Sequence, residues 1–313
     1  MPTVLERKRS VLQRIVIGII IAIAVIYLIP LYWVISTSFK PWTEVTAVPP
    51  RVFFKPEITS YVKLFTKRTQ VRSPEELAEL REDQAWYERG VLQLGQKIIG
   101  VSPFPARLFN SFFAAILSTA AAVSLGTLTA YGFSRFRVRG ENDYLFFILS
   151  TRMLPPVVVT IPLFLMYRFL NLSDTRLGLI LLYTCYNVSF ATWVMKGFID
   201  EIPREYEEAA MVDGYTRFES FWKIVLPQAA TGIAATSVFC FIFAWNEYVF
   251  ALIMTTRRAQ TAPPFIPAQL GIGMIDWGVI AAGASIFLIP VAVFTFLLRK
   301  HLLRGVTFGA IRK

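Results

Sequence analysis

Apolar residues gather into six long runs, at about 12–37, 108–133, 144–169, 177–196, 229–254 and 279–298, with polar stretches between them. Each run reaches the roughly 20 residues a helix needs to cross a bilayer. The pattern predicts an all-α integral membrane protein with six transmembrane helices. It divides the chain into a tail (1–11), a first span (12–37), a long loop (38–107), a core of five helices (108–298) and a second tail (299–313). The first run follows "ERKRS", as a secretory signal would. It is too long for a signal core and no small-residue cleavage site follows, so it is read as a retained span.

Lys and Arg beside the runs set the expected orientation. Arg7, Lys8, Arg9 and Arg14 stand at the start of the first run, and Arg135, Arg137 and Arg139 between the second and third. Arg299, Lys300, Arg304, Arg312 and Lys313 follow the sixth. All three clusters fall on one side of a six-span topology, which predicts that both termini and the 197–228 loop are cytoplasmic. The 38–107 loop is then outside. Within it, Ser73, Pro74 and Glu76 form a capping box with proline at the first helical position, so a short extracytoplasmic helix is expected there. It is either a solvated amphipathic helix or a docking element.

The 204–227 stretch, "REYEEAAMVDGYTRFESFWKIVLP", breaks the apolar pattern. Pro203 suits a first helical turn, and Gly214 suits a left-handed helix end. Thr216 and Glu219 form a second capping box, and Pro227 stops the second helix before the next span. Phe218, Phe221 and Trp222 fall at i, i+3 and i+4, an expected packing stripe. Between 196 and 227 there are seven Asp or Glu against four Lys or Arg. A basic helix would be drawn to anionic lipid, whereas an acidic one fits a basic groove on a cytoplasmic protein. The small side chains of Ala209 and Ala210 would let such a partner come close.

Composition narrows the classes. Of 313 residues 55% are hydrophobic and 17% charged, with net charge +11. The mean hydropathy of +0.53 is too high for an ordinary soluble domain. The excess positive charge lies beside apolar runs rather than on one face, which suits membrane topology and excludes nucleic-acid binding. Cys185, Cys240 and His301 cannot make a structural zinc site, and no metal or catalytic site is expected. No G-x-x-x-x-G-K-[ST] loop is present: Gly90 and Gly95 have the spacing, but Gln96 and Lys97 follow. H-E-x-x-H and G-x-S-x-G are also absent, so the chain is read as a non-catalytic subunit.

With these residues in place, "EAAMVDGYTRFESFWKIVLP" resembles the EAA loop of permease subunits of binding-protein-dependent ABC importers. Glu208, Ala209, Ala210, Gly214, Ile224, Leu226 and Pro227 match its Glu-Ala-Ala, three residues, Gly, nine residues, Ile-x-Leu-Pro pattern. "STSFK", "NSFFAA", "AYGFSRFRVRG", "MLPP", "WNEY" and "GVTFGAIRK" are similar to the carbohydrate branch, near the second permease subunit of maltose-type systems. The 61–110 loop is longer than usual for that type. The resemblance implies half of a heterodimeric pathway for a sugar or related polyol or glycerol-type solute, in the bacterial inner membrane. Its implied partners are a second permease subunit, two ABC ATPase subunits that use ATP and Mg, an extracytoplasmic solute-binding protein and membrane lipid. No cofactor would be bound by this chain. The 197–228 loop would couple to the ATPase, with Glu208 as anchoring charge, Asp213 beside the turn, Gly214 as the turn and the aromatic stripe as packing face. The 256–273 loop would contact the binding protein.

Charges inside apolar runs offer a different reading. Arg152 in the third run, and Asn246 and Glu247 in the fifth, are candidates for the substrate pathway. Counted at about 1.5 Å per residue, Arg152 lies roughly 12 Å and Glu247 roughly 27 Å from the cytoplasmic ends, which favours separate roles over an ion pair. An ion-coupled secondary transporter acting alone would use them as carriers. A scaffold or sensor that only recruits a cytoplasmic protein is the third class. Pro155 and Pro156 are expected to break or kink the third helix.

Overall fold

The computed structural model describes residues 4–82, 85–269 and 275–308. Arg312 and Lys313, the side chains of Arg7, Lys8, Arg9, Lys300, His301 and Arg304, and residues 270–273 of the 256–273 loop lie outside the described residues. In chain order the helices are α1 (Val4–Ser38), α2 (Trp42–Val45), α3 (Thr59–Phe65), α4 (Pro74–Glu82), α5 (Arg89–Leu92), α6 (Phe104–Arg135), α7 (Glu141–Ser150), α8 (Pro156–Phe169), α9 (Arg176–Asp200), α10 (Glu205–Val212), α11 (Arg217–Ser220), α12 (Leu226–Gln228), α13 (Ala230–Trp245), α14 (Val249–Met254), α15 (Ala262–Phe265) and α16 (Trp277–Phe308). The strands among the described residues are β1 (Thr66–Gln70) and β2 (Gln96–Val101).

Among the described residues four helices, α1, α6, α9 and α16, contain stretches long and apolar enough to cross a membrane, and the number reaches six where each of two bent pairs is taken as one span. The first pair is α7, extended by a 3-10 turn at Thr151–Met153, with α8, bent by 91°. Its cause is local. Leu154 is extended at ψ 126°, because a following proline disfavours the helical conformation, and Pro156 opens α8 where its missing N–H costs nothing. The second bend, 72°, lies between Arg217–Gln228 and α13. The fifth apolar run is itself split after Trp245 into α13 and α14. Helices also outrun their apolar stretches: α9 continues to Asp200, and α16 covers 299–308, where the apolar pattern predicts a tail. Backbone hydrogen bonding does not stop where side-chain apolarity stops.

One compact unit comprises residues 104–268 and 287–313. Its centre is α6 against α9. Ala115, Ser118, Ala122, Gly126 and Ala130 form a buried stripe of small side chains on α6, spaced three or four residues apart. Helices in lipid have no hydrophobic drive to associate, so close backbone approach supplies dispersion contact instead. At Gly126 the approach is close enough that an added Cβ would lie 2.5 Å from that of Ala191. α13 joins the pair, with Asn187 Nδ2 donating to the Cys240 carbonyl at 3.1 Å. An aromatic core of Tyr183, Phe241 and Trp245 packs with Phe287 and Phe294 of α16.

The other unit comprises residues 1–103 and 269–286. From Ile15 to Ile35, α1 is apolar around its whole circumference, as suits a helix surrounded by lipid or other helices. The 38–107 loop holds more than the one expected helix. β1 and β2 pair antiparallel, from Thr66 opposite Val101 to Gln70 opposite Gln96, with an irregularity between Lys67 and Arg68. Ser73 does cap α4, accepting from the Glu76 N–H at 3.2 Å, while Glu76 accepts from the Arg72 N–H at 3.0 Å. Lys63 and Asp276 make a buried ion pair at 2.9 Å that ties α3 to the start of α16.

Candidate functional site

The acidic stretch forms two short helices, α10 and the α11–α12 segment, joined at Gly214. α10 ends in a Schellman motif. The Tyr215 N–H donates to the Ala210 carbonyl at 3.0 Å and the Gly214 N–H to Met211 at 3.1 Å, with Gly214 at φ 93°. α11 starts with the expected capping box: the Glu219 N–H donates to Thr216 Oγ1 at 3.2 Å, and the Thr216 N–H to Glu219 Oε2 at 2.9 Å. Between α11 and α12, residues Phe221–Val225 form a π-turn, in which the Leu226 N–H donates to the Phe221 carbonyl. Such turns recur at functional sites.

Successive helical residues point about 100° apart, and α10 uses this to present two faces. Glu207 and Ala210, three residues apart, are buried; Glu208, Ala209 and Asp213 are exposed. The expectation for the two alanines is therefore corrected: Ala209 faces outward, but Ala210 belongs to the inner face. The aromatic stripe also divides. Phe221 is buried against Tyr131, ring centroids 4.7 Å apart, whereas Phe218 and Trp222 are 67% and 52% exposed and pack edge-on against each other. Only one edge of the stripe meets the α6 end; the rest is left outside. Ile224 and Leu226 are half-buried and Pro227 is exposed.

Behind this hairpin is a buried polar cluster that sequence reasoning missed. Glu207, 5% exposed, accepts from the Tyr131 hydroxyl at 2.9 Å and from Arg135 Nε. Arg135 also donates to the Ile202 carbonyl at 2.9 Å and to Ser134 Oγ at 2.8 Å, and Arg204 donates to the Ser134 carbonyl at 2.5 Å. Arg217 lies over the Phe136 ring at 5.4 Å. The available signal was the i, i+4 spacing of Tyr131 and Arg135 at the polar end of an apolar run.

At the other end of α9, about 37 Å away by its length, Asp174 organises a loop. Its carboxylate accepts from the backbone N–H of Thr256, Arg257, Arg258 and Ala259 at 3.0–3.2 Å, and from the Thr256 hydroxyl at 3.2 Å. Burial opposes ionisation, but these backbone donors outweigh it and hold the carboxylate at about 2. Asn110 Nδ2 adds bonds to the Arg258 and Gln260 carbonyls, each 2.9 Å.

The charges within apolar runs have separate partners. Arg152 lies at the α7–α8 break over the rings of Phe243, Tyr186 and Phe190, at 4.1, 4.6 and 5.0 Å. Glu247 accepts from the Tyr183 hydroxyl at 3.1 Å and from the N–H groups of Phe250 and Ala251 at 2.8 and 2.9 Å, which caps α14. Asn246, exposed, donates to the Ile242 carbonyl at 2.9 Å.

Residues 122–308 match the family described as binding-protein-dependent transport system inner membrane component. The chain belongs to this family. The permease is similar to the trehalose/maltose transport system permease protein MalG of Thermococcus litoralis, 30% identical over 97% of this chain and 99% of the relative. It is also similar to the sulfoquinovosyl glycerol transport system permease protein SmoH of Agrobacterium fabrum, 30% identical over 91% and 89% of the two chains. Among solved structures, a bacterial ABC transporter involved in import of the acidic polysaccharide alginate superposes with a TM-score of 0.67 at 21% identity, over 96% of this permease and 98% of that chain. That likeness is one of fold.

Proposed function

We propose that this permease forms half of the translocation pathway of an ATP-driven carbohydrate importer and couples it to an ABC ATPase through the α10–α12 hairpin. One observation carries the coupling reading. The hairpin exposes Tyr206, Val212, Phe218 and Trp222 among the acids Glu205, Glu208 and Asp213. Exposed apolar groups rimmed by charge mark protein-docking surfaces. Glu208 supplies the anchoring charge, Gly214 the turn, and Ala209 a bare spot for close approach. Sugar-type cargo is supported by the relatives named for trehalose/maltose and sulfoquinovosyl glycerol.

In this reading a second permease subunit completes the pathway in a bacterial inner membrane, with both termini and the hairpin cytoplasmic. Two ATPase subunits bind ATP and Mg; closing on ATP turns the pathway outward to receive solute from an external binding protein, and hydrolysis resets it. The Asp174-held loop faces the binding protein. Arg152, Asn246 and Glu247 act separately, near the pathway or at helix ends. Vesicles containing the full assembly test this. Radiolabelled maltose, trehalose and glycerol-linked sugars are expected to enter only with hydrolysable ATP inside and binding protein outside. Uptake driven by an ion gradient without ATP overturns the reading in favour of a secondary transporter.

A further inference from the structure

Glu207 and Glu208 are adjacent acids with opposite surroundings. Glu208 is exposed on the docking face; Glu207 is buried and spends its charge inside the permease. Removing a carboxylate and a guanidinium from water is costly, and hydrophobic replacement of such a pair is often neutral or stabilising. Stability alone therefore does not account for it. What the pair supplies is direction and register.

The polar bonds that reach the hairpin join the last turns of α6 to residues 202–207. Tyr131 and Arg135, one helical turn apart, both donate to Glu207. The same guanidinium holds the Ile202 carbonyl, and Arg204 holds the Ser134 carbonyl in return. Tyr131 serves twice, since its ring also packs on Phe221 in the π-turn. α10 and the α11–α12 segment are thus fixed to the α6 end by polar bonds in one case and ring contact in the other, while Met195 and Ile199 of α9 share the apolar cluster around Phe221 and Val225 without adding a polar bond to Glu207. From that end the small-residue stripe of α6 runs inward against α9 as far as Gly126 and Ala191 and beyond. A packed element of this kind moves as a body rather than bending.

Resting on the coupling reading above, we propose that Glu207 is a positioning residue: through Arg135 and Tyr131 it locks the hairpin to α6, so that displacement of the hairpin by an ATPase becomes displacement of α6. Glu208 grips the partner and Glu207 passes the movement on. The two acids make separable contributions.

The experiment uses the complete transporter in vesicles, reading ATP hydrolysed per solute carried and the amount of ATPase retained on the complex. Glu207→Gln keeps the side-chain shape and removes the charge. It is expected to retain the ATPase subunits while ATP used per solute rises about fivefold or more, the lower range of a coupling free energy. Exchanging the charges, Glu207→Arg with Arg135→Glu, returns the ratio toward wild type. Tyr131→Phe keeps the ring on Phe221 and raises the ratio about twofold, on the scale of one hydrogen bond; it decides the matter if Glu207→Gln reduces the folded protein. A wild-type ratio in Glu207→Gln and Tyr131→Phe overturns the proposal, as does loss of ATPase from the Glu207→Gln complex, which would place Glu207 in docking. Wild-type uptake that does not require ATP instead overturns the coupling reading.

Discussion

Gly126 of α6 meets Ala191 of α9 so closely that a methyl group on Gly126 would stand 2.5 Å from the Ala191 Cβ and 2.9 Å from the Ala191 carbonyl carbon and the Thr192 nitrogen. None of these atoms is the far end of a flexible side chain. Gly126→Ala is therefore expected to push α6 from α9 and cost about 1–3 kcal/mol, as overpacking does. Ala191→Gly should recover part of the loss, but not the backbone share. Gly132, on the same helix, has open space within 4 Å of where a methyl would stand. Gly132→Ala should be neutral or stabilising by up to about 1 kcal/mol through helix propensity. Thermal inactivation of the detergent-solubilised variants checks all three.

Asp174 provides a pH dependence with a definite sign. Its folded-state carboxylate is held at about 2, below the roughly 3.9 of an unfolded aspartate. The stabilisation it gives the 256–259 turn is present above about pH 4 and is lost as pH falls from there toward 2. Amide hydrogen exchange of residues 256–259, corrected for intrinsic rates, should show protection falling across that window. Asp174→Asn leaves a single weaker acceptor for four N–H groups. It should lose protection already at neutral pH and lack the acid transition.

Much of this was legible because lipid imposes simple rules. A helix in a bilayer must be long and apolar, so six runs mark six spans, and Pro155 with Pro156 marks the break in one of them. The Gly214 helix end and the Thr216–Glu219 box were legible because capping is local chemistry. Which of Glu207 and Glu208 turns inward was not, since that is decided by Tyr131 and Arg135, some seventy residues earlier. Arg135 read as one of several topology-setting arginines, a role that needs no partner. The β1–β2 ribbon was also hidden. QKIIGV carries Ile98, Ile99 and Val101, and TKRTQ carries Thr66 and Thr69, but both are short and polar-rich, and their pairing across the intervening helices is a tertiary choice.

Arg152 and Glu247 give a prediction by their separation. Arg152 is held by three rings and Glu247 by the start of α14. In a double-mutant cycle with Arg152→Gln and Glu247→Gln, effects on thermal inactivation should add to within about 0.5 kcal/mol. Charge exchange between the two positions should restore nothing. Glu247→Gln alone should loosen α14, because the amide has one oxygen where the carboxylate uses both, costing about 1 kcal/mol as lost caps do. Strong coupling between the two substitutions would instead place the charges together in a working state.

The outer face of the hairpin can be separated from its inner face by where the damage appears. The Glu208 side chain makes no hydrogen bond or ion pair among the described residues: it is exposed at the first turn of α10, and α10 is fixed from behind through Glu207. Glu208→Lys should leave insertion and thermal inactivation unchanged while weakening co-purification of the ATPase roughly tenfold or more, the scale for reversing a charge at a docked interface. Trp222→Ala should weaken ATPase retention similarly, with a small loss of stability besides, since the half-exposed indole packs on both the exposed Phe218 and the buried Phe221. Phe221→Ala is the contrast. That ring is buried against Tyr131, so its removal should lower stability by about 3–5 kcal/mol and reduce the folded permease before any effect on docking can be read. Normal ATPase retention in both Glu208→Lys and Trp222→Ala would move the docking surface off this hairpin.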